Sequence, residues 1–254
     1  MIEEEDDIAA RLHVEAPLAA AAEIELDSAQ THYLRSVLRL APGGHVALFN
    51  GRDGEWTAEI ESLGKHKAML RPRHQTREQE PEIDLWLLFA PVKRARIDLI
   101  AEKATELGVS RLVPVLTRRT NIARVNIERL AAHAREAAEQ TERLSVPVVM
   151  APQRLDEALA SFPAGRRLIL CDETGTAPPI AELLAQAQGK EDSWAVLTGP
   201  EGGFTPDELD GLKKLPFVNR VGLGPRVLRA DTAALAALAV FQALAGDWRR
   251  GRRR

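Results

Sequence analysis

The sequence predicts an α/β domain with a largely parallel sheet, preceded by a smaller β-rich domain. From Ile83 onward, short apolar runs alternate with helical patterns, which is typical of strands and helices that build a parallel sheet. Residues 83–90 are apolar almost throughout, as expected of a strand that is covered on both faces. A chain of 254 residues is long enough for one large domain or two unequal ones.

The β-rich part is predicted to be a small β-barrel domain over residues 11–72, behind an acidic extension at 1–10. Residues 46–50 and 56–60 are strand-like and flank a Gly/Asp-rich turn, which indicates a hairpin. A third strand is expected at 67–70. A short helix near 30–40 is expected to place Leu34, Val37 and Leu38 on one face.

A polar, proline-bearing linker is predicted at residues 73–82, before an α/β domain at 83–248 and a basic tail at 249–254. Thr205 and Glu208 form a capping box with a proline between them, which is a strong helix start. The predicted elements are strand 83–90, helix 95–107, strand 112–116, helix 126–142, strand 167–172, a helix begun by Pro178, strand 194–198, a helix from Thr205, strand 218–223, and a final helix capped by Asp231 or Thr232 that runs to about Ala245.

The composition is that of an ordinary globular protein, with 45% hydrophobic and 28% charged residues. No run is apolar and long enough for a membrane span, and the acidic N-terminus is unlike a signal peptide. The single Cys171 cannot form an internal disulfide, so a cytoplasmic location is expected.

Positive charge is clustered although the net charge is −3. Such clusters contact phosphates without making the whole protein basic, but they are equally consistent with a solvated surface. They are Arg71, Arg73, Arg77, Lys93, Arg94 and Arg96, and, at the C-terminus, Arg249, Arg250, Arg252, Arg253 and Arg254.

Two glycine-punctuated loops are the most informative local feature. Residues 197–204 (LTGPEGGF) and 223–229 (LGPRVLR) each follow an apolar strand and precede a helix. Glycine permits positive φ angles and close approach of a ligand to the main chain. The two loops therefore predict one small-molecule site built largely from backbone groups.

Several familiar sites are excluded by their motifs. No P-loop motif and no GxSxG elbow occurs, and the second loop lacks the third glycine of a dinucleotide fingerprint. The six histidines have no helical pair spacing and there is one cysteine, so no metal site is expected. An adenosine moiety fits what remains, with its ring between Leu197, Leu223 and Leu228.

The paired loops closely resemble the signature of the RsmE family, the bacterial small-subunit rRNA uracil-N3 methyltransferases of the SPOUT (trefoil-knot) superfamily. The resemblance extends from Arg11 to about Leu244. One departure is Thr141-Glu142-Arg143, where the family usually has a small residue and glycine before arginine. The matching segments are residues 11–14, 17–18, 32–40, 49–51, 103–109, 136–140, 199–205 and 223–233.

This resemblance implies a SPOUT-type knotted domain, an N-terminal PUA-like RNA-binding domain, and S-adenosylmethionine as the cofactor. It also implies a homodimer that acts on ribosomal RNA, within an assembled small ribosomal subunit. The expected cofactor-binding residues are Leu197, Thr198, Gly199, Glu201, Gly202, Gly203, Leu223, Gly224, Leu228 and Ala233.

Candidate catalytic residues follow from the loss of the uracil N3 proton. Arg229 and Arg226 are candidates for stabilising the resulting anion, and Glu201 for accepting a proton or holding the cofactor. Alternatively, Arg226 forms a salt bridge that locks its loop, and Glu201 caps backbone N–H groups. The expected phosphate contacts are Arg11, Arg35, Arg39, Arg94 and Arg96.

Two other functions remain open at this point. One is a related SPOUT enzyme that methylates a ribose 2′-hydroxyl or a tRNA base. The other is an RNA-binding assembly factor without catalytic activity.

Overall fold

The computed structural model describes residues 8–122, 124–187 and 193–250. The chain divides into two compact units: Met1–Pro81 with Ala138–Val146, and Glu82–Ala137 with Pro147–Arg254. Most of the predicted acidic extension, and the tail from residue 251, lie outside the described residues. Residues 8–10 are part of the first strand, so the predicted boundary at residue 11 is wrong.

The first unit is built on a five-stranded sheet in the order β1-β3-β4-β5-β2. β1 runs parallel to β3, and the other pairs are antiparallel, including the predicted β3–β4 hairpin. Apolar side chains such as Leu12, Val46 and Ile60 form its core. The strands are β1 (Ile8–His13), β2 (Ile24–Leu26), β3 (His45–Phe49), β4 (Glu55–Leu63) and β5 (Ala68–Arg77).

The predicted helix at 30–40 is replaced by a shorter α-helix and a π-turn. Helix α1 (Ser28–His32) is capped by the Asp27 side chain and passes into the π-turn Tyr33–Val37. The wider turn rotates the following side chains. Leu34 is buried, but Val37 is 59% exposed, so its predicted place on the buried face is wrong.

The predicted linker begins too early, because β5 continues to Arg77. Its polar residues form cross-strand charge pairs with β4: Arg73 with Glu59, and Arg71 with Glu61. Both pairs are diagonal, because Glu59 faces Arg71 in the strand register, and opposite charges on neighbouring cross-strand positions stabilise an antiparallel pair. The polar composition thus reflects an exposed sheet face, and these arginines are neutralised by neighbours.

The second unit contains the predicted parallel sheet, in the order β12-β10-β11-β6-β7-β8, with β9 also paired to β7. Every recorded pairing in it is parallel. The two-residue strands β8 and β9 were not predicted, because they are too short to have a pattern. The strands are β6 (Leu85–Phe89), β7 (Arg111–Leu116), β8 (Val148–Val149), β9 (Gln153–Arg154), β10 (Arg167–Cys171), β11 (Trp194–Thr198) and β12 (Val218–Val221).

Helices cover this sheet, and apolar clusters lie on both of its faces. The Thr205–Glu208 capping box is present at the start of α6. Arg229, rather than Asp231 or Thr232, occupies the N-cap of α7, so the predicted cap is wrong by two or three positions. The helices are α2 (Arg94–Glu106), α3 (Ile127–Gln140), the unpredicted α4 (Leu155–Ala160), α5 (Ile180–Gln186), α6 (Pro206–Lys213) and α7 (Ala230–Leu244).

Glu142, where the resembled family usually has glycine, lies at the end of α3 in a left-handed backbone conformation. Glu142 follows α3 with φ of 58°, and the Arg143 N–H donates to the Ala138 carbonyl at 3.1 Å. This is a Schellman-type helix end, in which glycine is usual at the left-handed position. Glu142 therefore carries backbone strain where the resembled family usually has glycine.

Candidate functional site

The candidate site lies at the carboxyl ends of three neighbouring parallel strands. β10 is hydrogen-bonded to β11 on one side and to β12 on the other. The first glycine loop (residues 199–204) follows β11, the second glycine loop (222–229) follows β12, and a third loop (172–179) follows β10. In parallel α/β sheets, ligands bind at this edge.

The three loops line one cavity of about 590 Å³. Eight of the ten residues expected to bind a cofactor line it, and so do the three candidate catalytic residues. The eight are Thr198, Gly199, Glu201, Gly203, Leu223, Gly224, Leu228 and Ala233; the three are Arg226, Arg229 and Glu201.

Leu197 is absent from this lining. Of the three leucines expected to enclose the adenosine ring, only Leu223 and Leu228 face the cavity, so the prediction for Leu197 is wrong. Its side chain is fully buried in the cluster with Ala195, whereas Val196 belongs to the cluster on the other face. Alternation along a strand sends successive side chains to opposite faces. Gly202 is also absent; a Cβ there would face Arg119 at 3.5 Å.

The first glycine loop is held closely by its neighbours. The Gly203 N–H donates to the Pro200 carbonyl at 2.9 Å, and Gly203 has φ of 67°. Phe204 is buried at 3% exposure, and its N–H donates to Glu173 Oε1 at 3.3 Å. A Cβ on Gly199 would lie 2.9 Å from the Phe204 ring. Glycine at 199 is thus required by packing against Phe204.

The second glycine loop is held mainly at its ends. The Gly222 N–H donates to the Pro178 carbonyl at 2.8 Å, and the Gly222 carbonyl accepts from Ile180 N–H at 3.1 Å. Beyond it, Gly224 has φ of 98° and a Cβ there would meet nothing within 4 Å. Val227 is 82% exposed, which is unusual for a large aliphatic side chain.

The candidate catalytic arginines are exposed at this cavity. Within the described part of the chain, neither Arg226 nor Arg229 forms an ion pair, so the alternative of a salt bridge that locks Arg226 is not observed. Glu201 Oε1 lies 3.9 Å from Arg96 Nη1, and Arg96 Nε lies 3.8 Å from Asp231 Oδ2. Arg96 therefore lies between the first loop and the start of α7.

The third loop contributes buried charge to the site. The Asp172 carboxylate accepts from Arg220 Nε at 2.5 Å and from Thr174 N–H at 2.8 Å. Burial favours a higher pKa for Asp172, but these hydrogen bonds and the Arg220 charge outweigh it, so the pKa is lower than its usual 3.8. The signal that marks this loop is its position after a strand of the same sheet.

Cys171 lies at the base of the third loop and is 7% exposed. Burial, with a smaller effect from the Glu173 charge, raises the pKa of its thiol to about 12. A thiol in this state is a poor nucleophile at neutral pH. Cys171 behaves as a small buried apolar residue.

Arg11 is a structural residue, so its expected phosphate contact is not supported. Its side chain is 13% exposed and forms an ion pair with Glu55. The guanidinium donates to the Ala138, Glu139 and Arg143 carbonyls at 3.2, 3.1 and 3.0 Å. Ala138 and Glu139 belong to the last turn of α3 and Arg143 follows it, at a helix end where carbonyls lack helical partners.

The other expected RNA contacts fall into three groups. Arg35 and Arg39 are exposed, the first on the π-turn and the second just after it. Tyr33, which was not predicted as an RNA contact, begins the same turn and is 40% exposed. The side chain of Arg94 lies outside the described residues. Arg96 lies between Glu201 and Asp231, as described above, and is not part of the cavity lining.

The described residues offer neither a metal-binding cluster nor a helix that could span a membrane. They contain no group of three or more His, Cys, Asp or Glu side chains arranged to hold a metal ion. Within the same residues, none of the helices combines the length and apolar character needed to span a bilayer.

The sequence is similar to RNA methyltransferases over most of its length. The sequence profile of the RNA methyltransferase domain matches residues 78–242, and that of the RNA methyltransferase PUA domain matches residues 26–72. The chain is 33% identical over 235 residues to ribosomal RNA small subunit methyltransferase E of Rickettsia conorii, covering 92% of this chain and 95% of the relative. The corresponding protein of Synechocystis is 32% identical over 225 residues, covering 88% and 74%.

Solved structures show the same similarity. Ribosomal RNA small subunit methyltransferase E from Neisseria gonorrhoeae, bound to S-adenosyl methionine, has a TM-score of 0.83 and 29% identity, covering 94% of this chain and 99% of that one. A methyltransferase from Legionella pneumophila in complex with the same cofactor has a TM-score of 0.81 and 28% identity, covering 92% and 96%. The predicted fold class, a SPOUT α/β domain that follows a PUA-like domain along the chain, is confirmed. The chain therefore belongs to the RNA methyltransferase family of ribosomal RNA small subunit methyltransferase E.

Proposed function

We propose that this protein transfers a methyl group from S-adenosylmethionine to N3 of a uridine in small-subunit ribosomal RNA. The main support for this proposal is the cavity in which the three loops meet. It is lined by glycine main chain and by two arginines that form no ion pair among the described residues. The second unit performs the transfer, and the first unit contacts RNA.

The cavity suits this cofactor in size and chemistry. Its volume of about 590 Å³ lies in the range of small-molecule sites. Leu223, Leu228 and Ala233 offer apolar contact for an adenine ring, while main-chain groups of Gly199 and Gly224 are accessible to its polar edge. The expected ligands also include Thr198, Glu201 and Gly203. When bound, S-adenosylmethionine supplies an electrophilic methyl group.

Methylation at N3 also requires that the N3 proton of the base is removed. For an imide that ionises about two units above neutral pH, forming the anion costs about 2.7 kcal/mol. Arg229 and Arg226 line the cavity, and a cation near O2 or O4 lowers this cost. Glu201 is 46% exposed, lies beside Arg96 and lines the same cavity as the two arginines, which supports it as the candidate proton acceptor.

RNA recognition is assigned to the exposed surface around the π-turn of the first unit. Arg35 and Arg39 offer charge for phosphates, and Tyr33 offers a ring on which an unpaired base can stack. The assembled small ribosomal subunit, in the cytoplasm, is the proposed target.

A homodimer is part of the proposal. Helix α7 contains one charged residue, Asp231, and is apolar around its circumference. Ala234, Leu238 and Phe241 face the core, but Leu235 and Ala239 on other faces are only partly buried. A helix that is apolar all round is normally buried on every side. Light scattering of the purified chain is expected to give the mass of a dimer.

The function is tested by mapping modified nucleotides in ribosomal and transfer RNA from a strain that lacks the gene. Loss of one N3-methyluridine from small-subunit RNA, restored by the intact gene, is the expected result. Loss of a ribose methyl group or of a tRNA methylation instead would support the related SPOUT activities. An unchanged profile, with no binding of S-adenosylmethionine at millimolar concentration, would support an assembly factor.

A further inference from the structure

Arg119 contacts the first glycine loop from outside the cavity. It belongs to the segment after β7, and it is absent from the cavity lining. Its Nη1 donates to the Gly202 carbonyl at 2.7 Å and lies 3.4 Å from the Phe204 carbonyl. A Cβ on Gly202 would be 3.5 Å from Arg119 Cδ, so the aliphatic stem of Arg119 also packs on this loop.

The loop needs such external contacts because Gly202 and Gly203 are consecutive. Glycine has few conformational restrictions of its own, and a Gly-Gly peptide can rotate between alternative turns. Arg119 holds the carbonyls of Gly202 and Phe204, while Glu173 accepts from the Phe204 N–H. The backbone that presents Glu201 and Gly203 to the cavity is thus held through both its donors and its acceptors.

Arg119 is itself held in place. Thr117 N–H donates to Thr120 Oγ1 at 2.9 Å, and Thr120 N–H donates to the Thr117 carbonyl at 3.1 Å, which closes a tight turn around Arg119. The neighbouring Arg118 N–H donates to Glu208 Oε1 at 2.7 Å, at the start of α6. The turn is therefore fastened to the helix that follows the first glycine loop.

We infer that Arg119 is a positioning residue for the methyl-donor site: it fixes the first glycine loop through two main-chain carbonyls and touches neither cofactor nor RNA. This inference rests on the proposed function, because it assumes that S-adenosylmethionine occupies the cavity. Hydrogen bonds from a charged donor are about twice as strong as neutral ones, so their loss weakens the loop conformation that binds the ligand.

The test is calorimetric titration of S-adenosylmethionine into the full chain and its variants. Arg119→Ala is expected to bind about 10- to 150-fold more weakly, the range for hydrogen bonds to charged groups. Arg118→Ala is the matched control, since Arg118 pairs with Asp207 on the exposed surface and its side chain does not contact the loop. It is expected to bind like the wild type.

Chemical rescue separates positioning from general destabilisation. Sub-denaturing guanidinium chloride is expected to restore binding to Arg119→Ala, whereas potassium chloride at equal ionic strength does not. Without ligand, amide hydrogen exchange of Gly203 and Phe204 is expected to be faster in Arg119→Ala than in Arg118→Ala. Arg119→Lys, which keeps the charge, is expected to be intermediate and provides a folded variant if the alanine variant fails to fold.

The outcomes are distinguishable. Equal binding by the wild type and Arg119→Ala would overturn this inference alone, and so would weakened binding that guanidinium does not rescue. Failure of the wild-type chain to bind S-adenosylmethionine would overturn the proposed function and this inference with it.

Discussion

The two glycine loops look alike in sequence but are supported differently. The first loop is held by the buried Phe204 ring, by the Glu173 carboxylate and by the Arg119 guanidinium. The second loop is fastened at Gly222 and again where the Ala233 N–H donates to the Arg229 carbonyl at 2.7 Å. Between these points, residues 224–227 are exposed.

This difference indicates that the two loops have different roles. A loop held from several sides has its binding groups oriented in advance, which lowers the entropic cost of binding a small ligand. A loop with exposed cations that form no ion pair with the described residues is accessible to a large anionic partner. We therefore expect loss of the groups that support the first loop to affect cofactor affinity, and loss of the arginines of the second loop to affect the rate of methyl transfer.

The strongest test of this difference in roles is Arg229→Ala in the second loop. Removing one donor that stabilises developing negative charge typically lowers kcat by about 100- to 1,000-fold. The affinity for S-adenosylmethionine is expected to stay within about threefold of the wild type, since less than 0.7 kcal/mol is then involved. Single-turnover methylation assays and calorimetry measure the two quantities. A large loss of cofactor affinity with unchanged turnover would contradict the assignment.

A matched pair of glycine substitutions tests the first loop. A Cβ at Gly199 would lie 2.9 Å from the Phe204 ring, whereas at Gly202 it would make ordinary contact with Arg119 at 3.5 Å. Overpacking a buried ring costs about 1–3 kcal/mol. Gly199→Ala is therefore expected to weaken cofactor binding about fivefold or more, at 1.4 kcal/mol per factor of ten, and Gly202→Ala to change it little.

Comparing the two variants by calorimetry and thermal unfolding decides whether packing or cavity space requires glycine at 199. Equal effects of the two substitutions would show that contact with Phe204 does not matter.

The smallest effect is expected from pH, at the third loop. A carboxyl group whose pKa is lower in the folded chain contributes stability above its unfolded value, and this is lost as the pH falls through the folded value. The pKa of Asp172 is below 3.8 because hydrogen bonds from Thr174 and Arg220 outweigh the effect of burial. At neutral pH the wild type is thus expected to have a higher free energy of unfolding than Asp172→Asn, and the difference between the two is largest there.

Below a pH of about 4, that difference is expected to shrink as Asp172 becomes protonated. Urea unfolding of both chains across this range provides the measurement. A difference that grows toward low pH would mean that the Asp172 carboxylate is not stabilised in the folded state.

Local patterns were sufficient for much of the fold. The β3–β4 hairpin and the capping box at Thr205 depend on neighbours a few residues apart, and both were predicted. The parallel sheet was predicted from the local alternation of strand and helix patterns, although its strands pair over long distances in the sequence. Prediction failed where distant contacts compete with composition. The polar residues 73–77 resembled a linker, but their partners on β4 make them a strand. The π-turn has no simple periodic signal, so Val37 was placed on the wrong face.

The amino-acid order by itself determined the fold class, the loops that form the site and the family, since these depend on apolar periodicity and on a motif that is continuous along the chain. Only the tertiary structure decided the individual roles of side chains. Arg11 and Arg35 are indistinguishable as letters, but one is enclosed against the carbonyls that end a helix and the other is exposed. Arg119 is likewise an ordinary arginine until folding brings it against a glycine loop far along the chain. Burial and distant partners set these roles, and neither can be read from local sequence.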